Sequence, residues 1–283
     1  MDFMSNNSNK TKNQIKTFEP TKKYNYNNNL PITSNNIKNY IYNKVLWITA
    51  SFENTINLSD NNQIEIIYFD KGCVFDSSLD SLPSTLKHLE FHTDTDFSQP
   101  IDNLPQGLKT LIMGLSFIQL VDNLPDSLEN LTLIGSFNNP IDNLPSGLKT
   151  LVLGEFFNQS IENLPKGLKK LVLSNNFAKP IDNLPPNLIY LQFENNNNWI
   201  GNLNNLPDSI EFLFLDLNSF NYSKEPVLNN LPKSIKYFEI ITKQKLLFDN
   251  SICANDTKKF LLSVSEIEKS NNRFLNKYNL LFM

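Results

Sequence analysis

The sequence predicts a mainly β fold, a solenoid in which each coil contributes one short strand to a parallel sheet. Between residues 82 and 232 the dipeptide Leu-Pro occurs eight times, and the prolines of successive pairs lie 20 to 25 residues apart, which is the signature of a repeat array. Each unit contains a short stretch of alternating apolar residues, which is typical of a strand. The Leu-Pro pair and the Gly or Ser near it disfavour a regular helix. We therefore expect coils of strand and loop.

Two segments precede the clear repeats. Residues 1–42 are rich in Asn, Lys and Ser and are expected to be a disordered, low-complexity N-terminus without the apolar run of a signal peptide. Residues 43–63 are expected to form an N-terminal cap or a degenerate repeat, with a strand in the run 45–48. No apolar stretch approaches the roughly 20 residues that a membrane-spanning helix needs. These features predict an intracellular, cytoplasmic protein.

Residues 64–240 are the repeat array, and the unit that begins at Leu144 shows its plan. Leu151 and Leu153 alternate with Val152, so the two leucines should face one side of the strand and Val152 the other. A single unit cannot offset the entropy of ordering its backbone, so the units should fold only as a stack. Six apolar positions in each unit are expected to point into the core: Leu144, Leu148, Leu151, Leu153, Phe157 and Ile161.

Residues 241–283 are expected to form a short helical cap at the C-terminal end. Two sets of apolar residues recur at helical spacing and predict two short amphipathic helices: Phe260, Val264 and Ile267, and then Phe274, Tyr278 and Leu281. Asp256 is a suitable N-cap for the first. Such a helix would cover the open apolar end of the stack. The alternative is a helix that presents its apolar face to a groove on a partner.

The repeat resembles the FNIP repeat, which is named for its Phe-Asn and Ile-Pro elements. The stretch Phe137-Asn-Asn-Pro140-Ile141-Asp-Asn-Leu-Pro145 carries this resemblance. The family is typical of social amoebae and of large viruses that infect amoebae. Its repeats are similar to leucine-rich repeats, whose Leu-x-x-Leu-x-Leu pattern occurs at 148–153. The resemblance implies a leucine-rich-repeat-like solenoid that serves as an interaction module, attached in some relatives to an F-box. No F-box helices are evident in the first 60 residues, which instead contain a predicted strand.

Residues suited to catalysis or metal binding are few. The formal net charge is −4, which gives no overall attraction to nucleic acid or anionic membranes. Cys73 and Cys253 lack the spacing of a disulfide or zinc site. His88, Glu90 and His92 should share a strand face, but the two histidines would lie about 13 Å apart, too far to bind one metal ion directly. With no phosphate-binding glycine motif, we predict no catalytic residues, no metal and no cofactor, and hence no enzyme.

Two polar columns recur once per coil. Asp occupies the first of them, except that Glu162 interrupts the series, and a turn role explains this column better than calcium, which needs six to eight oxygen ligands. Asn occupies the second column without a break. Asn side chains can satisfy the backbone groups of turns, so we interpret this column as a structural ladder. Its members are Asn103, Asn123, Asn143, Asn163, Asn183, Asn205 and Asn230.

Partner specificity should lie at the outward strand positions, because packing fixes the inward ones. This face becomes aromatic toward its C-terminal half, and exposed apolar patches commonly mark contact surfaces. The alternative is that the C-terminal tail folds over these aromatic residues. We therefore predict a scaffold that binds a protein partner through its strand face. The alternative is a substrate receptor of a ubiquitin ligase, with a ligase adaptor as the partner. The candidate contact residues are Tyr190, Phe212, Phe214, Tyr237, Val152 and Val172.

Overall fold

The structure, a computed structural model, describes residues 32–33, 41–48, 55–174, 176–194, 203, 205–216, 231–241 and 260–262. These residues form thirteen strands and contain no α-helix. The strands are β1 (Ile32–Thr33), β2 (Val45–Ile48), β3 (Ile56–Asn57), β4 (Ile66–Phe69), β5 (His88–Phe91), β6 (Thr110–Met113), β7 (Asn130–Leu133), β8 (Thr150–Leu153), β9 (Lys170–Ser174), β10 (Tyr190–Glu194), β11 (Phe212–Asp216), β12 (Tyr237–Ile241) and β13 (Phe260–Leu262).

Eleven of these strands form one parallel sheet, in the order β13-β12-β11-β10-β9-β8-β7-β6-β5-β4-β2. Equivalent residues of successive coils are partners, so that Leu151 lies opposite Leu131 on one side and Leu171 on the other. The remaining two strands, β1 and β3, pair with each other in parallel. The predicted solenoid is confirmed: each coil adds one strand in the same register.

The Leu-Pro element forms the same tight turn in every described coil. In the coil of β8, the Leu148 N–H donates a hydrogen bond to the Pro145 carbonyl at 3.0 Å. The next two residues, Lys149 and Thr150, donate their N–H groups to the Glu129 carbonyl of the preceding coil at 2.8 and 3.0 Å. The turn therefore directs the chain into the strand and also begins the hydrogen bonding that joins neighbouring coils.

The core contains all six predicted apolar positions of the unit. Leu148, Leu151 and Leu153 are fully buried, and Leu144, the most accessible of the six, is 9% exposed. The phenylalanines after each strand stack along the solenoid, with ring centroids 5.9 to 6.5 Å apart, in the series Phe75, Phe97, Phe117, Phe137, Phe157 and Phe177. Because every ring contacts the rings before and after it, the core is shared between coils and not divided into separate units.

The Asn column forms a ladder between coils, by contacts that the sequence did not indicate. Asn163 donates from its side-chain amide to the Asp142 carboxylate at 2.9 Å, and Asn143 does the same to Asp122 at 3.1 Å. Asn103, Asn123 and Asn205 repeat the contact. The Asn amides of one column thus donate hydrogen bonds to the Asp carboxylates of the other. These bonds also reduce the repulsion between stacked carboxylates.

The terminal segments differ in part from the expectation. Residues 260–262, placed in a helix by their periodicity, form β13, which pairs in parallel with β12. The helical prediction is therefore wrong for these residues, because the free edge of β12 offers backbone partners that local periodicity does not reveal. The rest of the 242–283 tail lies outside the described residues, as does most of 1–42, although β1 lies within it. No helix among the described residues is long and apolar enough to cross a membrane.

Candidate interaction surface

The outward side chains of the sheet form two rows, here called the strand face. In the pairing register, equivalent outward positions of successive strands are direct partners. One row is His88, Thr110, Asn130, Thr150, Lys170, Tyr190, Phe212 and Tyr237, and the other is Glu90, Ile112, Thr132, Val152, Val172, Gln192 and Phe214.

The six candidate contact residues differ in accessibility. Val152 and Val172 are 1% and 3% exposed, although they point away from the leucine core. Both lie in a continuous row beside Thr132, which is 3% exposed, so β-branched side chains on neighbouring strands pack against one another. The four aromatic candidates are half-buried. The accessible part of the candidate surface is therefore aromatic, because the two valines are buried.

The aromatic candidates form one connected cluster across β10, β11 and β12. The Tyr190 ring lies 6.3 Å from that of Phe212 and 5.0 Å from that of Phe214, and Phe214 lies 5.0 Å from Tyr237. We call these four residues the aromatic cluster. Tyr and Phe on a rigid sheet offer a large contact area at a small cost in side-chain entropy. The cluster has the composition of a binding hot spot.

A polar network borders the aromatic cluster. The Tyr190 hydroxyl donates to the Gln192 side-chain carbonyl, and the Gln192 amide donates to the Glu194 carboxylate at 2.7 Å. The Lys170 ammonium lies 4.4 Å from the centroid of the Tyr190 ring, a cation–π contact. Burial lowers the pKa of Lys170, and the charge of Glu194 opposes this effect. The side of the cluster formed by β9 and β10 therefore carries ordered polar groups.

The other end of the strand face carries a second set of aromatic and polar residues. Trp47 packs on Tyr68 with ring centroids 4.6 Å apart, and Tyr68 packs on His88 at 5.1 Å. Burial, assisted by the charge of Glu90, raises the pKa of Tyr68 to about 12. The His88 Nε2 lies 2.9 Å from the Glu90 carboxylate. Among the described residues, no three His, Cys, Asp or Glu side chains are grouped closely enough to hold a metal ion.

A second apolar surface, which was not predicted from the sequence, lies on the arc between β6 and the next Leu-Pro turn. Leu115, Ile118 and Leu120, here called the outer patch, are 42%, 53% and 56% exposed. The signal was present in the repeat itself. Where Ile118 stands, the next two coils have Asn138 and Asn158. An aliphatic residue that replaces a polar repeat position and remains exposed has no role in packing the core.

The parallel ladder, the phenylalanine stack and the two outward rows define a repeat solenoid of the leucine-rich-repeat-like class. The repeats themselves are FNIP repeats: the model of the FNIP repeat family matches residues 75–116, 97–136, 118–156 and 157–195. Residues 75–195 are therefore FNIP repeats. No curated protein matches the sequence.

Two solved structures illustrate the likeness. CroV588, a protein of the giant virus CroV described as a novel circular LRR protein, is 28% identical, with a TM-score of 0.58 over 72% of this chain and 34% of that one. This chain thus spans about a third of the length of that relative. An internalin (inlF) from Listeria monocytogenes is 14% identical, with a TM-score of 0.39 over 73% of this chain and 82% of that one.

Proposed function

We propose that the protein is a non-enzymatic scaffold that binds a protein partner through its strand face, with the aromatic cluster as the main contact. The observation that carries this proposal is the continuous ring contact from Tyr190 through Phe214 to Tyr237 on half-buried outward positions. Aromatic residues at the centre of an interface commonly supply most of its binding energy. The inward leucines already fill the core, so stability does not require these rings to be aromatic.

The double change Phe212→Ser and Phe214→Ser tests the proposal. Affinity capture from cell lysate with the full chain should lose its specific partner, while the melting temperature stays close to that of the unchanged protein. Leu115→Ser is a matched control, because it removes an exposed apolar side chain of another surface. It should leave capture through the strand face unchanged. A fall in melting temperature of many degrees, with partner capture surviving, would show that the rings serve stability.

The same experiment separates the scaffold from a ubiquitin-ligase receptor. Capture should be repeated with a chain that lacks residues 1–40, which include most of the segment where an adaptor-binding F-box would lie. This deletion keeps β2 in the sheet. The scaffold proposal expects the partner to be retained through the strand face. Recovery of a cullin-type ligase adaptor that depends on those residues would favour the receptor instead.

A further inference from the structure

In three coils, the residue after the core phenylalanine joins its coil to the next. The Asn138 side-chain carbonyl accepts a hydrogen bond from the backbone N–H of Asn158 at 2.8 Å, and Asn158 accepts one from the N–H of Ala178 at 2.9 Å. At the start of the array, Asp76 accepts from the N–H of Ser98 at 2.8 Å. An oxygen acceptor at this position therefore stabilises the contact between neighbouring coils.

Ile118 interrupts this series of bonds. Its aliphatic side chain has no acceptor for the N–H of Asn138, and within the described part of the chain the Ser98 hydroxyl before it makes no hydrogen bond. The substitution also leaves a β-branched apolar side chain 53% exposed to water. The coil loses a stabilising bond and gains exposed apolar surface, which is the opposite of what folding alone favours.

The neighbouring positions show the same departure. Leu120 stands where the coils on either side have Pro100 and Pro140, and it is 56% exposed. Leu115 lies three residues before Ile118, so their Cα atoms are at most about 10 Å apart. Two turns of a helix, about 10.8 Å, are therefore long enough to cover both positions. Three of the six most exposed large apolar residues in the described chain thus fall within six consecutive positions.

The charge around the outer patch has one sign. The arcs that run from the end of a strand to the next Leu-Pro pair, residues 92–105, 114–125, 134–145 and 154–165, contain seven carboxylates and no Lys or Arg. Lys109 and Lys149, which lie after the Leu-Pro turns, form ion pairs with Glu129. Asp122 follows Leu120 by two residues, and the same column holds Asp102 and Asp142 on the adjacent coils. These three carboxylates are exposed. An occupant of the patch must therefore tolerate a row of negative charge beside its apolar contact.

We propose that the outer patch is a second docking surface, which binds a basic amphipathic helix of a partner protein. Apolar side chains of the helix would cover Leu115, Ile118 and Leu120, and flanking Lys or Arg side chains would face the Asp column. An anionic membrane would be repelled by the same carboxylates. This surface lies outside the strand face, so the inference does not depend on the function proposed above.

The test uses the full chain and a synthetic helix of leucine and lysine of about 18 residues, or ~27 Å, in calorimetric titration at about 0.15 M salt. The matched peptide carries glutamate in place of lysine. The double change Ile118→Asn and Leu120→Pro restores the residues of the neighbouring coils. It should lower the affinity for the leucine–lysine peptide at least tenfold and should leave the melting temperature unchanged or higher, because it restores an acceptor at position 118. The glutamate peptide should not bind.

Phe156→Ser, which removes another exposed ring, is the control variant and should bind as the unchanged protein does. Equal affinity in the unchanged protein and the Ile118→Asn, Leu120→Pro variant would overturn the proposal, as would the absence of binding by the leucine–lysine peptide. Loss of binding in the Phe212→Ser, Phe214→Ser variant would assign the peptide to the strand face instead. Sedimentation that shows self-association, abolished by the change at 118 and 120, would identify the occupant as a second copy.

Discussion

At the scale of single residues, the fold depends on polar side chains that join one coil to the next. Ser127 donates its hydroxyl to the Leu108 carbonyl, and Ser209 donates to Leu188, at 2.6 and 2.7 Å. Each bond is worth on the order of 1 kcal/mol. The repeats that lack such a residue are therefore places where stability can be added without a change of fold.

Glu162→Asp should stabilise the protein by on the order of 0.5 to 1 kcal/mol. In the described structure, Asn183 makes no side-chain hydrogen bond to Glu162. On either side of this position, Asn163 bonds to Asp142 and Asn205 bonds to Asp182. The extra methylene of Glu moves its carboxylate away from the position that Asp142 takes in the coil before. Denaturant unfolding measures the change. The reverse substitution, Asp142→Glu, should destabilise by a similar amount. If both variants were as stable as the unchanged protein, the Asn–Asp hydrogen bond would contribute nothing to stability.

Gly167→Ser should also stabilise, by about 0.5 to 1 kcal/mol. An added Cβ would meet only the Ser146 carbonyl, at an ordinary 3.5 Å, and a hydroxyl here is equivalent to that of Ser127. Gly135→Ala is the contrasting change, because Gly135 has φ +70° and its Cβ would lie 2.4 Å from the Leu115 carbonyl oxygen. That variant should unfold at a clearly lower temperature. Thermal unfolding of both variants distinguishes the two effects.

At the scale of elements, the strands were the most predictable feature and the tail the least. Alternation at Leu151, Val152 and Leu153 correctly predicted which side chains face the leucine core, and the 20-residue spacing predicted the register of every row. Neither the alternation nor the repeat spacing predicted that Val152 is buried, because its burial depends on side chains from other coils. Nor did they predict β13, since pairing at the edge of β12 is a tertiary interaction. The outer patch could have been recognised by comparing each coil with its neighbours.

Leu151→Thr and Val152→Thr compare the two sides of one strand. Leu151 is fully buried among leucines, so its replacement loses apolar burial, leaves a cavity and buries a hydroxyl, at a cost of about 3 to 5 kcal/mol. Val152 lies beside Thr132, which already places a hydroxyl in that row, so its replacement should cost about 1 kcal/mol. Chemical denaturation measures both values. Similar losses in the two variants would contradict the assignment of the two faces.

At the scale of the whole molecule, neighbouring coils hold the solenoid together through contacts that repeat with the unit. The charged pairs follow this rule: Glu129 binds Lys109 of the coil before and Lys149 of the coil after, at 2.9 and 2.5 Å. Both lysines lower the pKa of Glu129 through hydrogen bonds. Because contacts join adjacent coils, removal of one complete coil should leave the pattern of all the others intact.

Deletion of residues 146–165 should therefore yield a folded, shorter solenoid. Lys169 would take the place of Lys149 beside Glu129, and Asn183 would face Asp142 in place of Glu162. The deletion should lower the melting temperature by only a few degrees. One coil and its contacts with its neighbours are lost, but Asn183 gains a hydrogen bond to Asp142. Deletion of residues 146–155 instead removes half a coil and the strand β8, so the chain could not continue in register. Circular dichroism should show strand content and cooperative melting for the first variant. The second variant should lose both. Cooperative folding of the half-coil variant would show that the coil is not the unit of the fold.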